Sequence, residues 1–318
     1  MKVIDILTHS QDRTLLSFEL LPPLKGGDIG RLYGAIEPLM DFAPSFINLT
    51  CHRDEEIVRE RPDGTLERIT VTKRPGTVAL ASAIMKRYDV EVVPHLVCGG
   101  LDPHAIENIL IDLNFLDIDN IMALRGDQPV GTRFYSSASG EHAYCSDLVH
   151  QINNMNRGIY LDGLQQEAIP TDFCIGVAGY PEKHFESPNM AQDVRNLKRK
   201  VDAGADYIVT QMFFDNARFF DFVDRCRREG ITVPIIPGIK PVASRRHLEM
   251  LPRTFHIGMP EELTEQLERC RSDAEARQVG IWWAVRQSRE LKAAGVPAIH
   301  YYTMSRSENI CEILRQVF

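Results

Sequence analysis

The stretch LLSFELLPP, residues 15–23, carries one charged residue, Glu19, among apolar neighbours. Side chains alternate along a strand, so Ser17 and Glu19 would share one face, and Leu16, Phe18 and Leu20 the other. A strand of a parallel sheet that is buried on both faces usually reads as a continuous apolar run. A carboxylate in such a run is costly unless it is paired or protonated. The stretch alone leaves three interpretations open: an edge strand, an arginine partner elsewhere in the chain, or an acid placed for chemistry.

Polar side chains stand at the carboxyl ends of all eight strand-like segments of the chain, including this first one. They are Glu19, Thr50, His95, Arg125 to Asp127, Tyr180 with His184, Gln211 with Asp215, Lys240, and residues 300–306. One such residue is an ordinary cap or turn, but a set at the ends of all eight segments, with no matching set at their starts, predicts a site. The sequence has no HExxH motif, spaced Cys/His set or nucleophile elbow, so we expect no metal.

Eight strand-like segments alternate with amphipathic helical stretches. The segments are 15–23, 46–50, 90–98, 120–127, 172–181, 207–215, 232–242 and 298–304. This alternation is typical of parallel strands. A (β/α)₈ barrel takes ~250 residues or more and has its site at the carboxyl ends of the strands. A doubly wound open sheet is the alternative, but no GxGxxG or P-loop is present. We therefore predict an α/β fold, a single-domain (β/α)₈ TIM barrel over residues 1–318.

Two long loops follow predicted strands, at 51–77 and 128–144. Loops beyond about 12–15 residues in a compact domain are usually functional or disordered. Both would lie on the proposed active face of the barrel. We interpret the first loop, which is dense in charge, as a partial lid.

Two further features each have two interpretations. Asp193, Asn196 and Lys200 share one helical face, with Arg199 beside them. This face is either a solvated surface with an Asn–Lys pair or a grip for the phosphates and sugar of a large cofactor. Lys240 is either a Schiff-base lysine or a surface or phosphate-binding lysine, and its position favours the second.

Composition excludes several classes of protein. The net charge of −8 gives a nucleic-acid partner no electrostatic support. No apolar run approaches the ~20 residues of a membrane span, and the start of the chain does not resemble a signal peptide. Seven scattered cysteines without a CxxC pair favour reduced thiols. We therefore expect a cytoplasmic protein with no nucleic-acid or membrane partner.

Six segments occur in an order that resembles the 5,10-methylenetetrahydrofolate reductase family. They are SFELLPP, ALRGD, GVAGYPEKH, NLKRKVDAGADYIVTQMFFD, PIIPGIKPV and HYYTMSR, between about residues 15 and 306. The resemblance implies the catalytic domain of a flavoprotein with a (β/α)₈ barrel. Hydride would pass from NADH or NADPH to FAD, and then to methylenetetrahydrofolate to give 5-methyltetrahydrofolate. The family is generally oligomeric, so a homo-oligomer is expected.

The resemblance also assigns roles to individual residues. Glu19 matches the family's general acid, which protonates the departing nitrogen as the imidazolidine ring opens; burial in an apolar strand would keep it protonated. Asp127 matches a catalytic aspartate near flavin N1 and the pterin, whose negative charge would make the reduced flavin a better hydride donor and stabilise the cationic iminium. Gln211 matches a glutamine that meets pterin or nicotinamide, and Arg306 an arginine of the folate region. Thr50 is implied on both the flavin and the folate side.

The remaining matches are to positions around the flavin. They are Thr50, Cys51, His95, Arg125, Gly126, Asp127, Tyr144, Cys145, Tyr180, His184, Asp193, Asn196, Arg199 and Lys200. Two positions depart from the family pattern. Cys51 stands where bacterial relatives often have Tyr, and Leu251 aligns with a Phe that can stack on nicotinamide or folate. Two other functions stay open: a Schiff-base barrel lyase that uses Lys240, and a non-catalytic folate- or flavin-binding protein.

Overall fold

Nine hydrogen-bonded parallel strands, flanked by helices, form a nearly closed barrel in the computed structural model. The structure describes residues 1–10, 13–52, 55–126, 141–164, 167–304 and 306–318, without the side chains at 55 and 56. Around the barrel the strands follow the order β10-β11-β1-β2-β5-β6-β7-β8-β9. Their bounds are β1 (Leu15–Leu20), β2 (Phe46–Leu49), β5 (Glu91–Val97), β6 (Asn120–Leu124), β7 (Cys174–Gly179), β8 (Tyr207–Thr210), β9 (Ile235–Ile236), β10 (Gly238–Ile239) and β11 (Ala298–Tyr302). The predicted TIM-barrel fold is thereby confirmed.

The predicted seventh strand, 232–242, forms as two short pieces, β9 and β10, on either side of Pro237. Proline has no backbone N–H, so it interrupts a hydrogen-bonded ladder. Its carbonyl is still used, and accepts from His300 N at 2.9 Å. Strand β9 pairs with β8, and β10 pairs with β11. The two pieces together therefore occupy the position of one strand between β8 and β11.

One helix precedes the barrel strands, and the others lie between or after them. Their bounds are α1 (Val3–His9), α2 (Ile29–Met40), α3 (Thr77–Tyr88), α4 (Pro103–Phe115), α5 (Cys145–Met155), α6 (Met190–Asp202), α7 (Asn216–Arg228), α8 (His247–Phe255), α9 (Glu261–Arg269), α10 (Asp273–Ala293) and α11 (Glu308–Val317). Asp102 caps α4 by accepting from His104 N at 2.7 Å. No helix in the described part of the chain is long and apolar enough to cross a membrane.

Two apolar layers hold the barrel together. The larger layer lies between strands and helices and includes Phe18, Leu20 and Tyr301. The smaller layer fills the amino-terminal end of the barrel, where Val3 and Leu7 of α1 pack with residues such as Phe46, Val93 and Tyr207. Helix α1 therefore plugs the end opposite the predicted site.

The loop predicted at 51–77 contains an antiparallel hairpin, formed by β3 (Glu55–Glu60) and β4 (Leu66–Val71). Arg61 pairs with Glu67 at 2.7 Å across it. Its base is tied to the loop after β1, because Lys25 N donates to Lys73 O at 2.9 Å and Arg74 donates to Pro22 O. Residues 128–140 of the second predicted loop, 128–144, lie outside the described residues.

Gly280 allows α10 to pack against the chain after β10. A Cβ at this position would lie 2.0 Å from Val242 O, a backbone atom that cannot move aside. We expect Gly280→Ala to destabilise the fold by about 3 kcal/mol, as overpacking does in a tight core.

Gly34, in α2, provides the matched control for this prediction. A Cβ there has nothing within 4 Å, so Gly34→Ala should stabilise the protein by up to about 1 kcal/mol through helix propensity. Urea unfolding of both variants measures the two effects. Equal effects of the same sign would contradict the packing at Gly280.

Candidate active site

Glu19 lies near the end of β1, with its side chain inside the mouth of the barrel. The neighbouring Phe18 and Leu20 pack outward against the helices, so alternation turns Glu19 inward. Its side chain is 16% exposed, and Oε2 lies 3.7 Å from His95 Nε2. Strand β1 pairs on both sides, with β11 and β2, so the edge-strand interpretation is wrong. No arginine of the described residues forms an ion pair with Glu19.

Burial dominates the proton affinity of Glu19. It raises the pKa of this carboxyl to about 8, and the positive charge of Lys240 works in the opposite direction. Glu19 therefore carries its proton at neutral pH. A protonated carboxyl can donate, whereas one near the ordinary glutamate pKa of ~4.3 would be ionised.

Two buried histidines, each in contact with another polar side chain, lie in the barrel interior with Glu19. Asn48 Nδ2 lies 3.2 Å from His95 Nε2, and Ser17 Oγ lies 2.9 Å from His300 Nδ1. Burial lowers the pKa of both His95 and His300 to about 3, so both rings are neutral. Asn48 Nδ2 can only donate. His95 Nε2 therefore accepts from Asn48 Nδ2 and has no proton with which to stabilise an ionised Glu19.

The residues predicted to surround a flavin meet at the carboxyl ends of β6 and β7. Arg125 pairs with Glu186 at 2.8 Å. The Tyr180 and His184 rings stand edge to face with centroids 4.7 Å apart. Lys200 Nζ reaches in from α6, donates to Ala178 O at 2.8 Å and lies 5.8 Å from the Tyr180 ring centroid. The structure thus brings together cations and flat rings from separate elements.

The polar face of α6 divides between the barrel and solvent. Asp193 is buried and accepts from Ser187 Oγ at 2.7 Å. Asn196 accepts from Gln192 Nε2 at 3.0 Å, while Arg199 is exposed and contacts Asn196 at 3.5 Å. The alternative Asn196–Lys200 pair does not form, because Lys200 donates to the end of β7 instead.

Other predicted flavin positions lie around the same edge. Thr50 is buried, with Oγ1 at 3.3 Å from His52 Nε2, and Cys51 beside it is half-buried. Cys145 is buried and its thiol donates to Ala123 O at 3.1 Å. Tyr144 is 64% exposed at the start of α5. Gly126 has a φ of +90°, which favours glycine. Asp127 lies outside the described residues.

The two residues predicted to contact substrate follow β8 and β11. Gln211 is half-buried and its Oε1 accepts from Met212 N at 2.9 Å. Arg306 is exposed. Asp215, the other polar residue after β8, caps α7 by accepting from Ala217 N at 2.9 Å. The cap accounts for Asp215 without a role in the site.

Lys240 is not a surface lysine, so the favoured interpretation of this residue is wrong on that point. It is only 9% exposed and follows β10 inside the barrel mouth. Burial lowers its pKa to about 8 against the raising effect of Glu19. Pro237 splits the strand in the run PIIPGIKPV into two short pieces. The alternation of inward and outward side chains could therefore not be followed along the sequence to Lys240.

Leu251 cannot take the place of a stacking ring. It is 1% exposed and belongs to a separate apolar cluster with Met212, Phe214 and Val242. The sequence interpretation also missed Ser17 and Asn48, which lie with His300 and His95 in the barrel. Two signals in the sequence could have found them. Ser17 lies two residues before Glu19 and therefore shares its face of the strand, and Asn48 is a polar amide within the largely apolar segment FINLT.

Comparisons with known proteins identify the family of this chain. The family model described as methylenetetrahydrofolate reductase matches residues 3–317. The 5,10-methylenetetrahydrofolate reductase of Escherichia coli (strain K12) is 32% identical over 304 residues, which cover 95% of this chain and 90% of the relative. Methylenetetrahydrofolate reductase (NADH) 1 of Arabidopsis thaliana is 32% identical over 326 residues, covering 99% of this chain. The chain spans about half of that plant relative, 50% of its length.

A solved structure shares the fold across the whole chain. It is an uncharacterized protein from Clostridium thermocellum, described as binding two copies of 5-methyl-5,6,7,8-tetrahydrofolic acid. The TM-score is 0.60 at 13% identity, and the alignment covers 99% of this chain and 97% of that chain. At this identity the likeness shows the fold alone. The family model and the bacterial relative show more: the chain belongs to the methylenetetrahydrofolate reductase family.

Proposed function

We propose that this chain reduces 5,10-methylenetetrahydrofolate to 5-methyltetrahydrofolate, with NADH or NADPH as the hydride donor. The observation that carries the proposal is Glu19, a carboxyl protonated at neutral pH in the mouth of a barrel of this family. The imidazolidine ring of the substrate must open to an iminium ion before it can accept hydride. A proton for the departing nitrogen is what a neutral carboxylic acid supplies.

His95 and Thr303 support the proposed role of Glu19 in two ways, through its protonation state and through its position. The neutral His95 ring offers no positive charge to an ionised Glu19. Thr303 Oγ1 donates to the Glu19 backbone carbonyl at 2.7 Å and so fixes the end of β1 against the chain after β11. On this proposal, the barrel holds the acid still while the substrate is placed against it.

Gln211 and Arg306 are proposed to position the folate. The carboxamide oxygen of Gln211 already accepts from Met212 N, which leaves its amino group as the donor for a pterin or nicotinamide carbonyl. Arg306 is an exposed cation after β11, suited to the carboxylates of the folate tail. Asp127 remains a predicted site residue on the strength of the family resemblance.

FAD fits the chemistry of the described residues. Arg125, Arg199 and Lys200 are cations suited to a diphosphate, and Tyr180 and His184 are flat polar rings beside them. Thr50, Cys51, His95, Gly126, Tyr144, Cys145, Asp193 and Asn196 complete the proposed binding set. When bound, FAD supplies hydride-carrying chemistry between the nicotinamide nucleotide and the folate in two successive half-reactions.

The cofactor proposal predicts that acid treatment of purified protein releases FAD rather than FMN. The reason is that we assign the polar face of α6, with Arg199 and Lys200, to the adenosine diphosphate half of FAD, which FMN lacks. Chromatography of the released flavin measures the outcome. Recovery of FMN alone would contradict the assignment of Arg199 and Lys200 to the cofactor.

The proposed reaction is tested with purified protein, methylenetetrahydrofolate and NADH under anaerobic conditions. NADH oxidation should depend on the folate, and chromatography should show one 5-methyltetrahydrofolate for each NADH consumed. NADH consumption without methyl product would overturn the proposal, as would an absence of consumption with both nucleotides.

A second function is favoured by one observation, the burial of Lys240 and its lowered pKa of about 8, which suit a Schiff-base amine. Borohydride reduction in the presence of carbonyl substrates, followed by mass spectrometry, separates this lyase from the reductase. We expect no adduct at Lys240, because the proposed reductase reaction needs no covalent bond between substrate and a lysine. A trapped adduct would favour the lyase.

Three broader features complete the proposal. The β3–β4 hairpin within 51–77 would act as a partial cover, since it follows β2 at the active end of the barrel. All seven cysteines are free thiols, which favours a reducing, cytoplasmic compartment. The family resemblance implies a homo-oligomer, and light scattering of purified protein tests that point.

A further inference from the structure

Lys240 lies in the same layer of the barrel as Glu19. Gly238 is in register with His300 on β11, so Lys240, two residues further, is level with Tyr302. Glu19 is in register with the same Tyr302 from the other side. The flanking Ile239 packs outward with the helices, so alternation turns Lys240 inward. Glu19 and Lys240 therefore face the barrel interior on either side of one tyrosine.

Lys240 has no other counter-charge among the described residues. No hydrogen bond or ion pair within 4.0 Å is formed by its ammonium group there. The charges that act on it are Glu19, which attracts the ammonium group, and Arg306, which repels it. His247 lies in the same field, and its pKa is lowered first by burial and then by Lys240. Burying the ammonium group of a lysine costs free energy unless a nearby group compensates its charge.

The other groups that face Glu19 cannot stabilise its anion. His95 is neutral, and its Nε2, which accepts from Asn48 Nδ2, has no proton to donate to the carboxylate. Tyr302 is neutral too, since burial raises its pKa, and its hydroxyl donates to Thr210 O at 2.6 Å rather than to Glu19. Lys240 is thus the group in this layer whose charge favours the ionised carboxylate.

We propose that Lys240 is a positioning residue for Glu19: its ammonium group, held across Tyr302, is the charge against which Glu19 gives up its proton. This inference rests on the proposed function, in which Glu19 is the proton donor. An acid buried without a counter-charge would hold its proton too tightly to transfer it, and an acid with a close ion pair would lose the proton at neutral pH. A lysine in the same layer but beyond ion-pair distance lies between these two cases.

The sign of the effect follows from the charges. Burial raises the pKa of Glu19, and Lys240 lowers it in part. Replacing Lys240 with methionine removes the lowering contribution and keeps a similar volume. The pKa of Glu19 should therefore rise further, by about one pH unit, a modest shift for the loss of a nearby opposite charge.

The experiment follows the protonated carboxyl band of Glu19 by infrared difference spectroscopy during a pH titration of the whole chain. The band is assigned by its loss in Glu19→Gln. We expect its midpoint to rise by about one pH unit in Lys240→Met and to return toward the wild-type value in Lys240→Arg. Lys198→Met is the matched control, because Lys198 pairs with Asp202 on the outer surface of α6, and its midpoint should equal that of wild type.

A second measurement uses the folate-dependent activity of the same variants. The alkaline limb of its pH profile should move upward in Lys240→Met, by the same shift as the infrared midpoint. An unmoved midpoint in Lys240→Met and in Lys240→Gln would overturn the inference while leaving the reductase proposal intact. A midpoint that moves while Glu19→Gln leaves the folate reaction unchanged would instead overturn the role of Glu19 as donor and keep the coupling.

Discussion

Replacing Glu19 with glutamine should slow methylenetetrahydrofolate-dependent NADH oxidation by about 10²–10⁴-fold, the usual contribution of a positioned general acid. Glutamine has nearly the same size and is neutral, as is Glu19 at pH 7 with its pKa of about 8. The fold and the binding surfaces should therefore persist. NADH oxidation with a quinone such as menadione needs no opening of the folate ring, so it should be close to wild type.

Glu182→Gln is the matched control for this comparison. Burial raises the pKa of Glu182 too, and its carboxylate accepts from Gly258 N at 2.7 Å, a bond that a glutamine oxygen can replace. Both activities of this variant should remain near wild type. If Glu19→Gln slowed both reactions equally, Glu19 would shape the pocket rather than donate a proton.

The same substitution at Glu19 should stabilise the fold as the pH rises. The unfolded chain releases this proton near the ordinary value of 4.5, whereas the folded chain keeps it up to about pH 8. Because the folded pKa is raised, the stabilising contribution is complete below pH 4.5 and is lost as the pH rises toward 8. Glutamine has no such loss, so at pH 7 the variant should be more stable by on the order of 3 kcal/mol.

Urea unfolding of wild type and Glu19→Gln at several pH values between 5 and 8 measures this difference. The gap in unfolding free energy should be small at pH 5 and widen steadily toward pH 8. Parallel pH curves for the two proteins would contradict the raised pKa of Glu19. A gap that narrows as the pH rises would mean that the pKa of Glu19 is lowered rather than raised.

Local signals predicted most of the helices and strands, and their absence explains the elements that were missed. Asp102 followed by Pro103 is a local signal for a helix start, and the Asp102 side chain caps α4. Helices α1 and α9 begin after Lys2 and Pro260, neither of which provides a side-chain cap. Ser272 and Glu275 have the spacing of a capping box at the start of α10. Ser272 Oγ accepts from Glu275 N, but the Glu275 carboxylate accepts from Arg271 N instead of from Ser272 N.

The site was predictable where strand parity was clear and unpredictable where it depended on distant pairing. Glu19 stood out because one charge interrupted an apolar strand. The Ser17–His300 contact joins residues 283 positions apart, and no local pattern predicts it. Lys240 was misread because its strand is short and broken, so its direction depends on how β10 pairs with β11. Asp193 and Arg199 share a helix, but one side chain is buried against Ser187 and the other is exposed, a difference set by packing around the helix.

The pH profile of the wild-type protein tests the central claim most directly, since that claim is proton donation by Glu19 to the folate. Folate-dependent NADH oxidation should fall about tenfold per pH unit above pH 8, where Glu19 loses its proton. NADH oxidation with menadione, measured on the same samples, should show no such limb. A limb shared by both acceptors, or folate activity that stays level through pH 9, would contradict the account.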